Sequence, residues 1–338
     1  KRGRRDELHI LETMMAENSE NKTTYLVTGA AGFIGSHLVE RLLKDGEKVR
    51  AVDNLSTGRF KNIEPFIDGI EFILGDLSDY KIAEQAVDGV DYVLHQAAVP
   101  SVPRSVKDPI RTNNSIVTAT LNLFEAARKA RVKRIVQASS SSVYGDSPTL
   151  PKVETMPANP KSPYAVAKYA QETYGRVFSQ LYGMSIVSLR YFNVFGPRQD
   201  PYSEYSAVIP KFISLMLQGK SPTIYGDGET TRDFTYIDNV VNANLLACKS
   251  TKAVDGEHIN IACGSRISLK ELVDIIGNIL GKKIEPKFAP ERPGDVKHSL
   301  ADINKAEQLI DYSPNISVEE GLKFLITSVN NTVLISNS

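Results

Sequence analysis

Tyr164 and Lys168 are the residues whose type and spacing point most directly to proton chemistry. Of 14 tyrosines, Tyr164 alone is followed four residues later by a lysine. On a helix that spacing puts both side chains on one face. A free phenol titrates at about 10 and is a poor base at neutral pH. A neighbouring ammonium favours phenolate and brings the group toward the working range. Taken alone, the pair also reads as a helix-start tyrosine beside an exposed lysine. Upstream, Ser139-Ser140-Ser141-Ser142 follows the apolar run Arg134 to Ala138. Its hydroxyls therefore sit at a strand's carboxyl end, where open parallel sheets bind ligands. A serine there can hydrogen-bond the oxygen that Tyr164 deprotonates, or can simply serve a turn.

A second group of residues supplies the partner for that chemistry. Gly29, Gly32 and Gly35 follow the strand-like Thr24 to Val27 and open an amphipathic stretch from Phe33 to Lys44. This is the setting a dinucleotide fingerprint requires. Gly29 allows a tight turn, Gly32 lets a pyrophosphate approach the backbone, and Gly35 is expected to bring the helix close to the sheet. The helix start offers free N–H groups and the positive end of its dipole. Asp53 ends the next strand, Lys48 to Val52, at the distance expected of a carboxylate that binds ribose hydroxyls. It favours NAD over NADP, while Arg59 close behind keeps NADP open. Asp76, after the strand Ile70 to Leu74, is placed to meet the adenine amine.

The elements that must position these groups alternate between Thr24 and Arg190. Apolar strands at Tyr92 to Leu94, Arg134 to Ala138 and Ser185 to Leu189 are separated by amphipathic helices. That order implies an α/β fold, a doubly wound parallel sheet of Rossmann type with helices on both faces. After Asn193 the pattern changes to short strands, prolines and helices at Val208 to Gln218 and Leu269 to Leu280, read as a smaller α/β lobe. The expected organisation is an N-terminal extension (1–23), a dinucleotide domain (24–192), a substrate lobe (193–329) whose strands can return to the first domain, and a frayed tail (330–338). In the extension, Leu8, Leu11 and Met15 fall on one side of a short helix, and no apolar core of a signal peptide is present.

Composition narrows the class. Forty basic residues balance 40 acidic ones, so nucleic acid is not an expected partner. No run approaches membrane-spanning length. Two cysteines, Cys248 and Cys263, are expected as free buried thiols in a cytoplasmic protein. Five scattered histidines form no metal pattern.

With these motifs in place the chain resembles the extended short-chain dehydrogenase/reductase family, and within it the nucleotide-sugar 4-epimerases. The resemblance runs from Thr24 to about Leu325. It is carried by T-G-x-x-G-x-x-G at Thr28, the serine segment before Val143-Tyr144-Gly145, Ser162-Pro163-Tyr164 with Lys168, Arg190 to Pro197, and Arg232-Asp233-Phe234. Similarity to UDP-N-acetylglucosamine epimerases adds His95-Gln96-Ala97-Ala98, Ala207 to Lys211 and Arg292 to Ser299. The resemblance implies a catalytic set of Tyr164, Lys168 and Ser140. It implies NAD held by the glycine loop, Phe33, Ile34, Asp53, Asn54, Asp76, Leu77, Gln96, Ala97, Ala98, Tyr164, Lys168 and Tyr191. A UDP-sugar would meet Ser140, Ser141, Ser142, Tyr164, Asn193, Ala207, Val208, Lys211, Tyr225, Arg232, Arg292, Asp295 and Ser299. In that set, Arg232 and Arg292 face the diphosphate, Tyr225 the uracil and Asp295 the uridine ribose.

Two details sharpen these expectations. Related dehydratases and decarboxylases carry acidic residues where this chain has Ser141 and Ser142, so net elimination is disfavoured. Ser299 stands where epimerases of non-acetylated sugars carry a tyrosine, and its small size leaves room for an N-acetyl group. One departure bears on cofactor retention: the family's N-x-x-G-T reads Ile116 to Thr120 here, with Asn113 as the candidate substitute. By family analogy a homodimer is expected through the helices Val117 to Ala130 and Pro163 to Tyr182, although their apolar stripes also suit packing within one subunit. A catalytically silent binder of NAD or nucleotide sugar on the same fold is the reading from another class.

Overall fold

The computed structural model describes residues 22–200, 207–291 and 297–336, with side chains described through 330. The helix expected around Leu8, Leu11 and Met15 lies outside the described residues, as do Arg292 and Asp295.

The first half alternates as its hydrophobic pattern requires: β1 (Thr24–Thr28), α1 (Phe33–Lys44), β2 (Lys48–Asp53), β3 (Ile70–Leu74), α2 (Tyr80–Val87) and β4 (Tyr92–His95). It continues through α3 (Val102–Lys107), α4 (Pro109–Asn113), α5 (Ala119–Ala130), β5 (Arg134–Ser140), α6 (Pro163–Tyr182) and β6 (Ile186–Tyr191). The strands are near-continuous apolar runs because helices cover both faces of the sheet. Tyr25 and Val27 pack with Leu38, Val39 and Leu42 of α1. Leu26, between them, points the other way, toward Leu123 and Phe124 of α5. Each face of β1 thus feeds a separate core.

After β6 the elements shorten: β7 (Val194–Phe195), α7 (Val208–Leu217), β8 (Thr223–Tyr225), β9 (Thr231–Arg232), β10 (Thr235–Tyr236) and α8 (Ile237–Lys249). Then come β11 (His258–Ile261), β12 (Ile267–Ser268), α9 (Leu269–Leu280), β13 (Lys287–Ala289), α10 (Asn304–Ile310) and α11 (Val318–Ser336). Seven parallel strands form one sheet in the order β11-β6-β5-β4-β1-β2-β3. The order reverses between β1 and β4, which opens a crevice at their carboxyl ends. β11 rejoins this sheet beside β6, so the chain beyond 193 contributes to both lobes. The short strands beyond β6 form three two-stranded pairs, β7 with β10, β9 with β12 and β8 with β13.

Three expectations change. The helix beginning near Val117 is preceded by one π-helical turn, Asn114–Thr118, and regular α-helix starts at Ala119. The tail expected to fray from 330 continues α11 to Ser336. Its start is fixed by Ser317, whose Oγ accepts from Glu320 N at 3.2 Å while Glu320 Oε2 accepts from Ser317 N at 2.9 Å. A helix nucleated by such a reciprocal cap propagates cheaply. Cys248 is buried, but Cys263 is only half-buried; both thiols are free.

Candidate active site

Gly29 shapes the crevice. Its φ of +63° suits glycine, and a Cβ there would lie 2.8 Å from Ala97 N. At Gly35 a Cβ would fall 2.1 Å from Gly29 O. Gly35 therefore lets α1 pack on the glycine loop itself, a correction to the expected approach to the sheet. Gly32 is the N-cap of α1 and offers no side-chain cap, leaving the first-turn N–H groups available to an anion.

Side chains brought from elsewhere hold this loop. Asp53 at the end of β2 accepts from Ala31 N at 2.9 Å and from Leu55 N at 2.7 Å. Burial raises its carboxyl above the usual range, and these two bonds pull it back in part. Asn62 Nδ2 donates to Ala31 O at 2.9 Å. Beneath the loop, Thr28 Oγ1 accepts from Gln96 N and Ala97 N, both at 3.1 Å. Its own proton is then directed to His95 Nδ1 at 2.7 Å, which leaves His95 Nε2 to donate to Thr120 Oγ1 at 2.9 Å. Complete burial, with Lys168 nearby, pushes His95 down to about 3, so it is neutral.

Above the loop lies a cavity of about 440 Å³. Every residue expected around the cofactor lies on its wall: Gly29, Gly32, Phe33, Ile34, Gly35, Asp53, Asn54, Asp76, Leu77, Gln96, Ala97, Ala98, Tyr164, Lys168 and Tyr191. At the far end Asn54 Nδ2 donates to Asp76 Oδ2 at 2.7 Å and Ser78 N to Asp76 Oδ1 at 2.8 Å. Burial alone would raise Asp76, but these bonds outweigh it and leave the carboxyl below its usual range. Sequence reasoning missed part of the wall: Ser56 to Gly58, Ser101, Ser115, Arg198 and Gln199. Gly58 carried a signal, since a Cβ there would lie 2.9 Å from both Asp53 carboxylate oxygens. Arg59, expected as a 2′-phosphate candidate, pairs with Asp200 across this wall. Asn113 is exposed and Ile116 fully buried, so neither supplies the missing asparagine; Ser115 faces the cavity instead.

The proton-transfer residues meet where β5 ends beside α6. Ser162 caps α6 by accepting from Ala165 N at 3.2 Å, with Pro163 in the first turn, which fixes Tyr164 at the helix start. Three consecutive residues of β5 then engage three successive turns of α6. The Ser140 hydroxyl lies by the Tyr164 phenol and favours its ionised form. Lys168 Nζ donates to Ala138 O at 2.6 Å and to Gln171 Oε1 at 3.1 Å. The Ser139 hydroxyl donates to Glu172 Oε1. Because Ser140 Oγ also accepts from Ser142 N at 3.1 Å, its proton is free for the phenol oxygen.

Electrostatics at this junction differ from the expectation in one respect. Tyr164 lines the cavity, yet the protein packed round it raises the phenol above its usual value, and the Ser140 hydroxyl is what opposes the rise. Lys168 faces a carbonyl and an amide rather than the phenol. Desolvation pushes it down to about 7, with Glu172 acting the other way.

The residues expected around a sugar are brought together by the short strands. Asn193, at φ +36°, donates through Nδ2 to Asp233 O at 2.9 Å and to Ser299 Oγ at 3.0 Å. Asp233 in turn accepts from Cys263 N at 3.0 Å and Ala301 N at 3.2 Å, and burial raises it to about 6. Arg232 Nη1 donates to Thr231 O at 2.9 Å and Lys297 O at 3.1 Å. Ala207, the N-cap of α7 without a side-chain cap, reaches the cavity wall; Val208 begins that helix and Lys211 is exposed. Tyr225 is half-buried at the end of β8. Ser141 and Ser142 follow Ser140 in a short 3₁₀ turn, and Ser142 Oγ is buried without a partner among the described residues.

Residues 25–262 match the family described as NAD dependent epimerase/dehydratase. The chain belongs to that family. Its cofactor is NAD, which the Gly29 cradle, the uncapped start of α1 and the Asp53 carboxylate suit. A UDP-glucose 4-epimerase of Mycolicibacterium smegmatis is 40% identical over 301 residues, 88% of this chain and 95% of that protein. The solved UDP-N-acetylglucosamine 4-epimerase of Methanobrevibacter ruminantium M1, in complex with UDP-N-acetylmuramic acid, is 43% identical with a TM-score of 0.87, covering 92% of this chain and 99% of that one. A Bacillus cereus UDP-glucuronic acid 4-epimerase, solved with UDP-glucuronic acid and NAD, is 34% identical with a TM-score of 0.84, covering 92% and 100%.

Proposed function

We propose that the protein is a UDP-sugar 4-epimerase that acts on UDP-N-acetylglucosamine and UDP-N-acetylgalactosamine. The position of the Tyr164 phenol on the cavity wall, beside a Ser140 hydroxyl that favours its ionised form, carries the chemistry. That phenol oxygen is ready to accept the C4 hydroxyl proton and return it. When bound, NAD supplies a reversible acceptor for the C4 hydride. Lys168 brings charge to the same wall; the 4-keto sugar would turn over within the site, so that the hydride returns to the opposite face of C4 while Tyr164 gives the proton back to the C4 oxygen. No acidic side chain stands at 141 or 142, which keeps the sequence to epimerisation.

The small Ser299 beside Asn193 supports the acetylated substrate, because a tyrosine there would fill the space next to the sugar-end asparagine. The relative crystallised with a UDP-N-acetylated sugar supports it also. The test is incubation of the purified protein with added NAD and, separately, UDP-N-acetylglucosamine, UDP-glucose and UDP-glucuronic acid, followed by proton NMR of the axial C4 products. Conversion of the acetylated sugar is expected. Conversion of UDP-glucose or UDP-glucuronic acid alone overturns the reading of Ser299, and conversion of none leaves a silent binder.

We also propose a homodimer, with a surface shifted from that expected. The α5 stripe is spent inside the subunit, where Phe124 meets Phe178 of α6 at 5.5 Å between ring centroids. Among the exposed apolar side chains, Val102, Val106 and Ile110 of α3 and α4 and Val166 and Tyr169 of α6 lie on neighbouring helices. Light scattering should give twice the chain mass, and Ile110→Glu with Val166→Glu should return it to one.

A further inference from the structure

We propose that Glu172 is a positioning residue for catalysis: held by Ser139 and Arg190 one helical turn away, its carboxylate favours the charged form of Lys168.

The geometry begins on α6, where Tyr164, Lys168 and Glu172 recur every four residues and therefore share a face. Glu172 is 5% exposed and Arg190 3% exposed at the side chain, so their ion pair is out of water. It is bidentate, with Nε to Oε1 at 2.8 Å and Nη2 to Oε2 at 2.7 Å. Ser139 donates a third bond to Oε1. Arg190 lies on β6 directly opposite Ser139, and its guanidinium covers the Tyr144 ring at 4.7 Å. Tyr144 is anchored in turn by its hydroxyl to Asn260 Oδ1 at 2.7 Å. Each atom that fixes Glu172 is itself fixed.

As a stability device this pair is a poor choice. Desolvating two ions offsets most of their attraction, and well-packed apolar residues of similar volume do as well or better. Arg190 Nη1 is moreover buried without a hydrogen-bond acceptor among the described residues. The pair's position explains it better. Lys168 Nζ is buried against a neutral carbonyl and a neutral amide, neither of which balances its charge. The other titratable groups of this wall and junction supply no negative charge: His95 on β4 is neutral, Tyr164 and, on β6, Tyr191 are raised phenols, and Arg190 is positive and spent on Glu172. Glu172 is the group that opposes the desolvation of Lys168. Clamping it away from direct contact leaves the ammonium free to face the cavity while its charge is still favoured.

The inference rests on the proposed chemistry at Tyr164 but is tested without turnover. The NAD-loaded protein is labelled with [ε-13C]lysine, and the Lys168 resonance is assigned by its loss in Lys168→Met. Its titration midpoint is then followed in the wild type, in Glu172→Gln, and in the double variant Glu172→Met with Arg190→Met, which leaves no unpaired buried charge. Both variants are expected to move the midpoint to lower pH by about one unit, with the alkaline limb of the kcat/KM profile moving the same way for whichever UDP-sugar is converted. A midpoint unchanged in the double variant overturns the proposal and leaves Glu172 a structural residue. A wild-type protein that converts no UDP-sugar would sink the proposed function while the titration still decides this point.

Discussion

The two ends of the site are built by different means. At the chemical end, β5 and α6 meet through buried side chains, backbone carbonyls and a desolvated ion pair, all on long elements of the main sheet layer. At the sugar end, Asn193, Asp233 and Ser299 are joined by single hydrogen bonds across two-residue strands. The first arrangement cannot shift one residue without disturbing its neighbours, whereas the second can trade one side chain for another at the cost of a bond or two. That contrast matches the relatives, which share the fold while their names specify glucose, N-acetylglucosamine or glucuronic acid. On the proposed function, chemistry belongs to the stiff half and selectivity to the adjustable one.

The comparison can be broken from either side. Tyr164→Phe should leave folding and NAD binding intact and lower kcat by about 10²–10⁴-fold, the usual contribution of a positioned acid–base group; near-normal turnover would remove Tyr164 from the chemistry. Ser299→Tyr should depress kcat/KM for acetylated sugars by about 10–200-fold while sparing smaller ones, and equal loss on both would end the selectivity argument. Ser299→Ala keeps the space but loses the Asn193 bond, worth about 1 kcal/mol. It should raise KM several-fold for every sugar alike, so that the pair of variants separates volume from anchoring.

Acid tests the stiff half. His95 and His37 are held down to about 3 and about 4 by burial, so between those values and about 6.5 the unfolded chain binds protons that the folded chain refuses. Their contribution to stability is present above that window and lost as pH falls through it. Asp233, raised to about 6, runs the opposite way: the folded state holds its proton longer, and its ionisation costs stability as pH rises from about 4 to 6. Urea midpoints should drop between pH 7.5 and 5, and His95→Gln should flatten the drop. A slope unchanged in that variant would show that the buried histidine is not what acid attacks. The smallest effect is expected at the cavity wall. The Arg59–Asp200 pair is partly exposed, so Arg59→Ala should raise the NAD dissociation rate by no more than about fivefold, corresponding to the 0–1 kcal/mol of such pairs, and less at high salt.

The glycine loop, the α6 pair and most strand and helix spans were legible because each is specified by a local pattern: period, cap, or glycine spacing. α1, α6 and α9 even begin and end at the expected residues. What the sequence hid depends on pairs far apart in the chain. Nothing near Thr28 announces that it will receive Gln96 and Ala97 or send its proton to His95. Glu172 and Arg190 read as ordinary charges until β6 is laid beside β5. The π-turn at Asn114–Thr118 leaves no mark in hydrophobic period, which is why Asn113 reads as the candidate substitute in the sequence while the turn presents Ser115.

Ala138, Ser139 and Ser140 each serve a different member of the α6 ladder, by a carbonyl, a bond to a carboxylate and a hydroxyl beside the phenol respectively. Side-chain direction alternates along a strand, so inserting or deleting one residue in β5 would misdirect all three together. This stretch is therefore inherited as a block: point changes elsewhere can retune what the enzyme accepts, but no length change within the block leaves a half-working intermediate from which selection could proceed.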